Sequence, residues 1–233
     1  MALYYKNWLE QPQQIPETAI ILDQKDLADL KDLYGDPIST FCIEAEGINR
    51  IRDNEDGYFD FNKNLIDIGA CLGEYCWLLP FNHSYAFEPN KLSRYKMITN
   101  LVSHDRVYDV DIYDSLLSDN TNPIIFNGWN TIDDDSFNYK EMVTPKTLDS
   151  FNFENIGLIK VDVEMMEEQV LRGGIGTIIR NNYPPIIFEC FLHNKFGMTE
   201  EKRQSLFRFI ESLGYTIKLE WIDFETHLAI KEN

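Results

Sequence analysis

The chain has 233 residues, 44% of them hydrophobic and 13% aromatic, enough for one large buried core and so for a single globular unit with an N-terminal extension rather than two domains. It sets 21 lysines and arginines against 39 aspartates and glutamates, a formal net charge of −18; nucleic acid and anionic lipid are bound largely by neutralising phosphates with basic side chains, so both are disfavoured as partners. Cys42, Cys71, Cys76 and Cys190 form neither a C-x-x-C pair nor a zinc-spaced cluster, residues 1–8 lack the basic head and apolar core of a signal peptide, and no run is long enough to span a bilayer, which leads to the expectation of a cytoplasmic protein with reduced thiols and no membrane insertion.

Residues 1–60 show no regular hydrophobic period and are expected to cap the main domain at 61–233 as a substrate segment. Gln11-Pro12-Gln13-Gln14-Ile15-Pro16 is a polar stretch punctuated by proline that no helix interior accepts. A short helix is expected over 26–34, with Leu27, Leu30 and Leu33 on one face and Gly35-Asp36-Pro37 stopping it, then a strand over 39–45. Asp53-Asn54-Glu55-Asp56-Gly57 has a superficial likeness to a calcium loop, but placing Gly57 at the sixth position puts Arg52 at the first; it reads as a turn.

Next comes Asn64-Leu65-Ile66-Asp67-Ile68-Gly69-Ala70-Cys71-Leu72-Gly73-Glu74-Tyr75. An apolar run ending in an acid and a glycine turn is a buried parallel strand emptying into a loop, with Gly69 and Gly73 letting the backbone pass close to a ligand. A second apolar run closes on Tyr85-Ala86-Phe87-Glu88-Pro89-Asn90, where a carboxylate on the neighbouring strand is placed to receive two ribose hydroxyls. In the dinucleotide pattern G-x-G-x-x-G, the second glycine is replaced by Cys71 and the third by Glu74, whose charge would repel a pyrophosphate. Asp67 before the turn instead suits a cofactor carrying an ammonium or sulfonium group, so S-adenosylmethionine fits better than NAD.

From Leu65 onward strands and helices alternate. Strands are expected at 65–68, 84–87, 107–112, 157–161 and 185–190, with helical stretches such as 91–102 and 167–180 between them, which implies a mostly parallel sheet covered on both faces. Thr199 caps a helix over 200–213 that begins with Glu200 and Glu201 and stops at Gly214. The segments 215–221 and 226–230 read as a closing antiparallel hairpin, an ending typical of Rossmann-like methyltransferases. Asn182-Tyr183-Pro184-Pro185 has the composition of the N-P-P-Y tetrad of amino-group methyltransferases in the wrong order and before a strand; it reads as a loop.

A further signature is Thr147-Leu148-Asp149-Ser150-Phe151, then Ile156-Gly157-Leu158-Ile159-Lys160-Val161-Asp162-Val163-Glu164, then Glu167 or Glu168 with Val170-Leu171-Arg172-Gly173-Gly174. Together with the glycine turn and Phe87-Glu88-Pro89-Asn90 it resembles the FkbM family of SAM-dependent O-methyltransferases, from Asn64 to about Gly174 and again at Ile186-Ile187-Phe188-Glu189. The resemblance implies the α/β class I Rossmann-like fold, a seven-stranded mostly parallel sheet with a C-terminal antiparallel hairpin and helices on both faces. It also implies S-adenosylmethionine as donor, left as S-adenosylhomocysteine, and a hydroxyl acceptor on a sugar or natural product. By position Gly69, Cys71 and Gly73 would line the methionine portion, with Asp67 and the nearby backbone holding its amino group. Glu88 would hold the ribose, Asn90 would border the adenosine, and Ser115 and Leu116 would contact adenine. Two departures stand out: Pro80 interrupts the helix after the glycine turn, and Met165-Met166 stand where many members have Gly-Ala, which puts bulk near the acceptor.

Methyl transfer from a sulfonium is an in-line displacement, accelerated mostly by holding the acceptor oxygen against the methyl group, with a positioned base adding roughly a hundred- to ten-thousand-fold. Asp162, Glu164 and Glu189 lie at the carboxyl ends of the fourth and fifth strands, with His193 just beyond, and all four are candidate catalytic groups. Asp162 serves equally well as a contact to the SAM amine, and Glu189 as a loop anchor. Lys160 would either lower the hydroxyl pKa or be buried against one of these acids, the latter being the expectation for a lysine among apolar strand neighbours. A divalent ion between Asp162 and Glu189 would acidify a hydroxyl, but no third ligand is evident. Trp129, in Asn127-Gly128-Trp129-Asn130, either stacks on a sugar face or anchors its loop, and Asp133-Asp134-Asp135 reads as solvated. The expected function is O-methylation of a saccharide, as a glycan or activated sugar; the alternatives are a natural-product or protein methyltransferase and a non-catalytic SAM-binding module of a glycan-assembly complex.

Overall fold

The computed structural model describes residues 2–5, 19–22, 45–127, 141–191, 197–222 and 225–232. Near the N-terminus β1 (Ala2–Tyr5) and β2 (Ala19–Leu22) pair in parallel, where no periodic structure is expected from sequence. The predicted helix at 26–34 lies outside the described residues, as does the predicted strand at 39–45 except for Ala45, which begins a helix. α1 (Ala45–Asp53) follows, and Ile48 and Ile51, three apart on one helical face, are buried in the main core. At residues 54–57 the Gly57 amide donates to the Asn54 carbonyl (2.9 Å), as a turn does.

The central element is β3 (Asn64–Ile68), all five residues buried. After it come α2 (Glu74–Leu78), cut short before Pro80, then β4 (His83–Phe87), α3 (Lys91–Ser103) and β5 (Val110–Tyr113). The expected strand at 107–112 begins late because residues 107–109 form a 3-10 turn. β6 (Ile124–Phe126) and β7 (Glu141–Val143) make a separate antiparallel pair. β8 (Ile156–Val161), α4 (Glu167–Arg172), α5 (Ile175–Arg180), β9 (Ile186–Glu189), α6 (Glu200–Ser212), β10 (Thr216–Lys218) and β11 (Thr226–Ile230) complete the chain.

The main sheet has seven strands in the order β10-β11-β9-β8-β3-β4-β5. The five strands from β9 to β5 are mutually parallel, and β11 runs antiparallel to both β9 and β10. Alternation along β3 and β8 sends Leu65 and Leu158 to a core shared with α1 and α3, through Ile48, Ile51, Met97, Ile98 and Leu101. It sends Ile66, Ile68, Ile159 and Val161 to a second core under α4, α5 and α6, through Val170, Leu171, Ile178, Leu206, Phe209 and Ile210. The sheet is therefore covered on both faces, as expected. β3 lies between β4 and β8, where the direction of winding reverses, and in open α/β sheets ligands bind outside the carboxyl ends of the strands at that place. Among the described residues no helix is long and apolar enough to cross a membrane.

The expected helix at 167–180 is two helices broken at Gly173–Gly174. A Cβ on Gly173 would lie 2.7 Å from the Ser118 carbonyl oxygen, and one on Gly174 would lie 2.8 Å from Leu148 Cδ2, so the chain bends where two segments approach closely. The Asp149 amide donates to the Gly173 carbonyl (3.0 Å), and the Asp149 carboxylate accepts from the amides of Gly176 (2.9 Å) and Thr177 (2.6 Å). Asp149 thus caps α5 from a distant loop. Asp149→Ala is expected to cost about 1–2 kcal/mol, the range for losing a helix cap, and to lower the melting temperature by roughly 2–8 °C, measured by thermal denaturation followed by circular dichroism.

Candidate functional site

β3 ends in a turn built on left-handed backbone at Gly69 (φ 75°), Cys71 (φ 47°) and Gly73 (φ 79°). The amides of Gly69 and Ala70 both donate to the Phe87 carbonyl at the end of β4 (2.9 and 3.0 Å), and that of Gly73 donates to the Ala70 carbonyl (2.6 Å). A Cβ on Gly69 would lie 1.7 Å from the Asp162 carbonyl oxygen, and one on Gly73 would lie 2.5 Å from Met97 Cγ. The protein's own packing, against the exit of β8 and against α3, therefore already demands both glycines. Cys71 contributes its backbone rather than its thiol, which burial pushes up to about 12.

Glu88 follows β4 directly and is buried. One carboxylate oxygen accepts from the Cys71 amide (2.9 Å) and the other from the Asn90 amide (2.7 Å), so the group is held between the turns that follow two adjacent parallel strands. Burial still outweighs these hydrogen bonds and raises its pKa to about 7. The Asn90 side chain caps α3, accepting from the amides of Leu92 (2.8 Å) and Ser93 (3.1 Å). Ser115 and Leu116 are buried after β5, and their segment is laced to Lys146 through the Lys146 amide to the Leu116 carbonyl and the Ser118 amide to the Lys146 carbonyl (both 2.9 Å).

Lys160 is 5% exposed. Its Nζ lies 3.6 Å from Asp67 Oδ1 and 3.2 Å from Asp162 Oδ2, donates to the Gly69 carbonyl (3.1 Å) and sits 5.0 Å from the centre of the Tyr75 ring. The expected burial of this lysine against the acids is observed. Asp67 is fully buried, accepting from Cys76 Sγ at 3.4 Å, and it reaches the glycine turn through Lys160.

Beyond β8 the chain turns sharply, with Glu164 at φ 55° and Met165 at φ 75°, a conformation that L side chains rarely take. The Glu167 carboxylate, 2% exposed, accepts from the amides of Val163 (3.2 Å) and Met165 (3.1 Å) and pins this elbow. Burial raises its pKa to about 7. Glu189, at the end of β9, is raised to about 9 by burial and then by the negative charges of Asp162, Glu164 and Glu167. The structure thus gathers Asp162, Glu164 and Glu189 at the carboxyl ends of β8 and β9, and Asp67, Gly69, Cys71, Gly73, Glu88 and Asn90 at those of β3 and β4. His193 and Trp129 lie outside the described residues. In the sequence Glu167 belongs to a motif without a role; its position as the first residue of the expected helix at 167–180, just after the acids that end the fourth strand, is the available signal. Among the described residues no group of three or more His, Cys, Asp or Glu is arranged to hold a metal ion.

Comparison with solved structures finds methyltransferase FkbM from Methylobacillus flagellatus KT, 17% identical, with a TM-score of 0.53 over 73% of this chain and 44% of that one. An rRNA methylase from Streptococcus thermophilus, 11% identical, matches with a TM-score of 0.50 over 81% of this chain and 96% of that one. At such identities these likenesses describe the fold, and the match to the FkbM structure spans under half of that protein's length. No curated protein matches the sequence. The family model described as the methyltransferase FkbM domain matches residues 67–217, from the acid before the glycine turn to the first strand of the closing hairpin. With well over half of its length inside that match, the chain belongs to the FkbM methyltransferase family.

Proposed function

We propose that the protein is an S-adenosylmethionine-dependent O-methyltransferase whose acceptor is a saccharide hydroxyl. The observation that carries the cofactor reading is Glu88. Each of its oxygens already takes one backbone N–H, and a carboxylate oxygen accepts about two hydrogen bonds. The capacity that remains suits a pair of adjacent hydroxyls, and burial without them leaves the carboxyl abnormally easy to protonate. A ribose diol fits that need. Gly69, Cys71 and Gly73 would then line the methionine portion, with Asn90, Ser115 and Leu116 beside the adenosine. Asp67 would act on this end of the site through Lys160 and the Gly69 carbonyl, since its own carboxylate is enclosed. When bound, S-adenosylmethionine supplies a methyl group on a sulfonium, an electrophile that needs only an oriented oxygen opposite its leaving sulfur.

On the acceptor side Asp162 is held against Lys160, whereas Glu189 sits among other acids with a high proton affinity. We assign Glu189 as the group that takes the hydroxyl proton onto a carboxylate oxygen. An acid-lined, hydrogen-bonding end of the sheet suits a neutral polyhydroxyl molecule, and the net charge of −18 weighs against phosphate-rich acceptors.

Titration calorimetry with S-adenosylhomocysteine is expected to show binding, weakened roughly 10- to 100-fold by Glu88→Ala, as for loss of a carboxylate accepting charge-assisted hydrogen bonds. No heat with the methyl donor or its product, alongside tight binding of a nicotinamide or flavin, overturns the reading. In methyl-transfer assays against a panel of glycosides and glycans, the rate is expected to rise with pH toward a limb near 9 as Glu189 ionises. Glu189→Gln should remove that limb and lower kcat about 100- to 10,000-fold; an unchanged profile would return the role to Asp162.

A further inference from the structure

We infer that Arg94, on the first turn of α3, is a positioning residue for the cofactor's ribose: by clamping the Glu88-Pro89 backbone it holds the Glu88 carboxylate where two hydroxyls reach it. The inference rests on the cofactor reading of Glu88 given above. Arg94 lies six residues past Glu88 and outside every motif read from the sequence, yet its side chain is buried, 9% exposed. Its Nη1 donates to both the Glu88 carbonyl (2.6 Å) and the Pro89 carbonyl (2.5 Å).

Those two bonds matter because of how the rest of the loop is tied. The Glu88 amide donates to the Tyr113 carbonyl (3.0 Å), continuing the pairing of β4 with β5, and Pro89 has no amide to donate. The Asn90 amide is spent on Glu88 itself, its carbonyl accepts from the Arg94 amide (3.0 Å), and its side chain caps the helix. The carbonyls of Glu88 and Pro89 are the acceptors of this loop that the guanidinium satisfies, and buried carbonyls left without donors are costly. Without the clamp both carbonyls lose their donor and the Glu88-Pro89 backbone is held less firmly, leaving the carboxylate positioned only by the Glu88 amide and the amides of Cys71 and Asn90.

The guanidinium also acts through charge. Among the described residues the main charges acting on Glu88 are Arg94 on α3 and Lys160 on β8, both of which favour its ionised form, with the neutral Cys71 thiol in the turn beside it. Only the ionised carboxylate accepts from both hydroxyls of a diol at once with its full capacity. Affinity for a ribose-bearing ligand should therefore rise as pH increases through about 7, where Glu88 gives up its proton, and removal of Arg94 should move that midpoint upward.

The test is calorimetric binding of S-adenosylhomocysteine and of its 2′,3′-dideoxy analogue to the full chain and to the variants Arg94→Ala, Arg94→Gln and Arg94→Lys, between pH 6 and 9. Arg94→Ala and Arg94→Gln should weaken binding of S-adenosylhomocysteine by about 10- to 100-fold and binding of the dideoxy analogue by less than about threefold, near the error of a merely local change. Both should shift the pH midpoint upward. Arg94→Lys, which keeps the charge, should restore the midpoint and most of the affinity. Should the alanine variant fold poorly, the glutamine and lysine variants carry the comparison. Equal losses for both ligands, or no loss for S-adenosylhomocysteine, overturn the inference while leaving the cofactor reading intact. Failure of the unaltered protein to bind S-adenosylhomocysteine overturns the cofactor reading, and the inference with it.

Discussion

One buried ammonium holds the site together. The register of β3 and β8 pairs Asp67 with Lys160, and Lys160 Nζ then reaches Asp67, Asp162 and the Gly69 carbonyl within 3.6 Å. Taking charges out of water costs several kcal/mol per ion, and only good geometry with further hydrogen bonds recovers it. Here one cation answers two carboxylates and a carbonyl dipole, so the ends of β3 and β8 are locked to each other and to the glycine turn. The proposed cofactor side and acceptor side of the site thereby share a single reference point.

Beyond that cation the site is dominated by acids, in keeping with a chain of net charge −18. Glu88 and Glu167 are raised to about 7 and Glu189 to about 9, burial being the largest cause each time. The folded state therefore keeps protons that the unfolded chain releases near pH 4.5. What these groups add to stability is complete below that pH and is lost as pH climbs through 7 and then 9. Near neutrality Glu189 thus keeps its proton while Glu88 and Glu167 are partly ionised in buried settings, where hydroxyl donors from a ligand would favour the charged form.

Much of this was legible from sequence because it is written in local pattern. The apolar runs into Gly69 and Glu88 mark β3, β4 and their turns, Thr199 marks the start of α6, and Lys160 among apolar neighbours foretold its ion pairs. Features that depend on long-range contact were not. The break at Gly173–Gly174 follows from the approach of Ser118 and Leu148, which no helical period reveals. The cap that Asp149 gives α5 spans 27 residues. The role of Arg94 depends on which carbonyls its guanidinium meets, and a lone arginine on a helix carries no mark of that. The glycines of the turn were correctly located for a partly different reason: ligand clearance was expected, and the protein's own carbonyl and methionine fill the space.

The elbow after β8 carries a consequence of its own. Glycine adopts φ near 75° without penalty, whereas Met165 keeps that angle at a cost on the order of 1–3 kcal/mol, because Glu167 grips the backbone amides on either side of Glu164. On the elbow itself the grip takes only the main-chain amides of Val163 and Met165, so it does not depend on the side chain at 165. The bend is thus fixed by a carboxylate and two amides, while the Met165 thioether packs against the second core, where a Cβ on Gly197 would lie 3.5 Å from its sulfur.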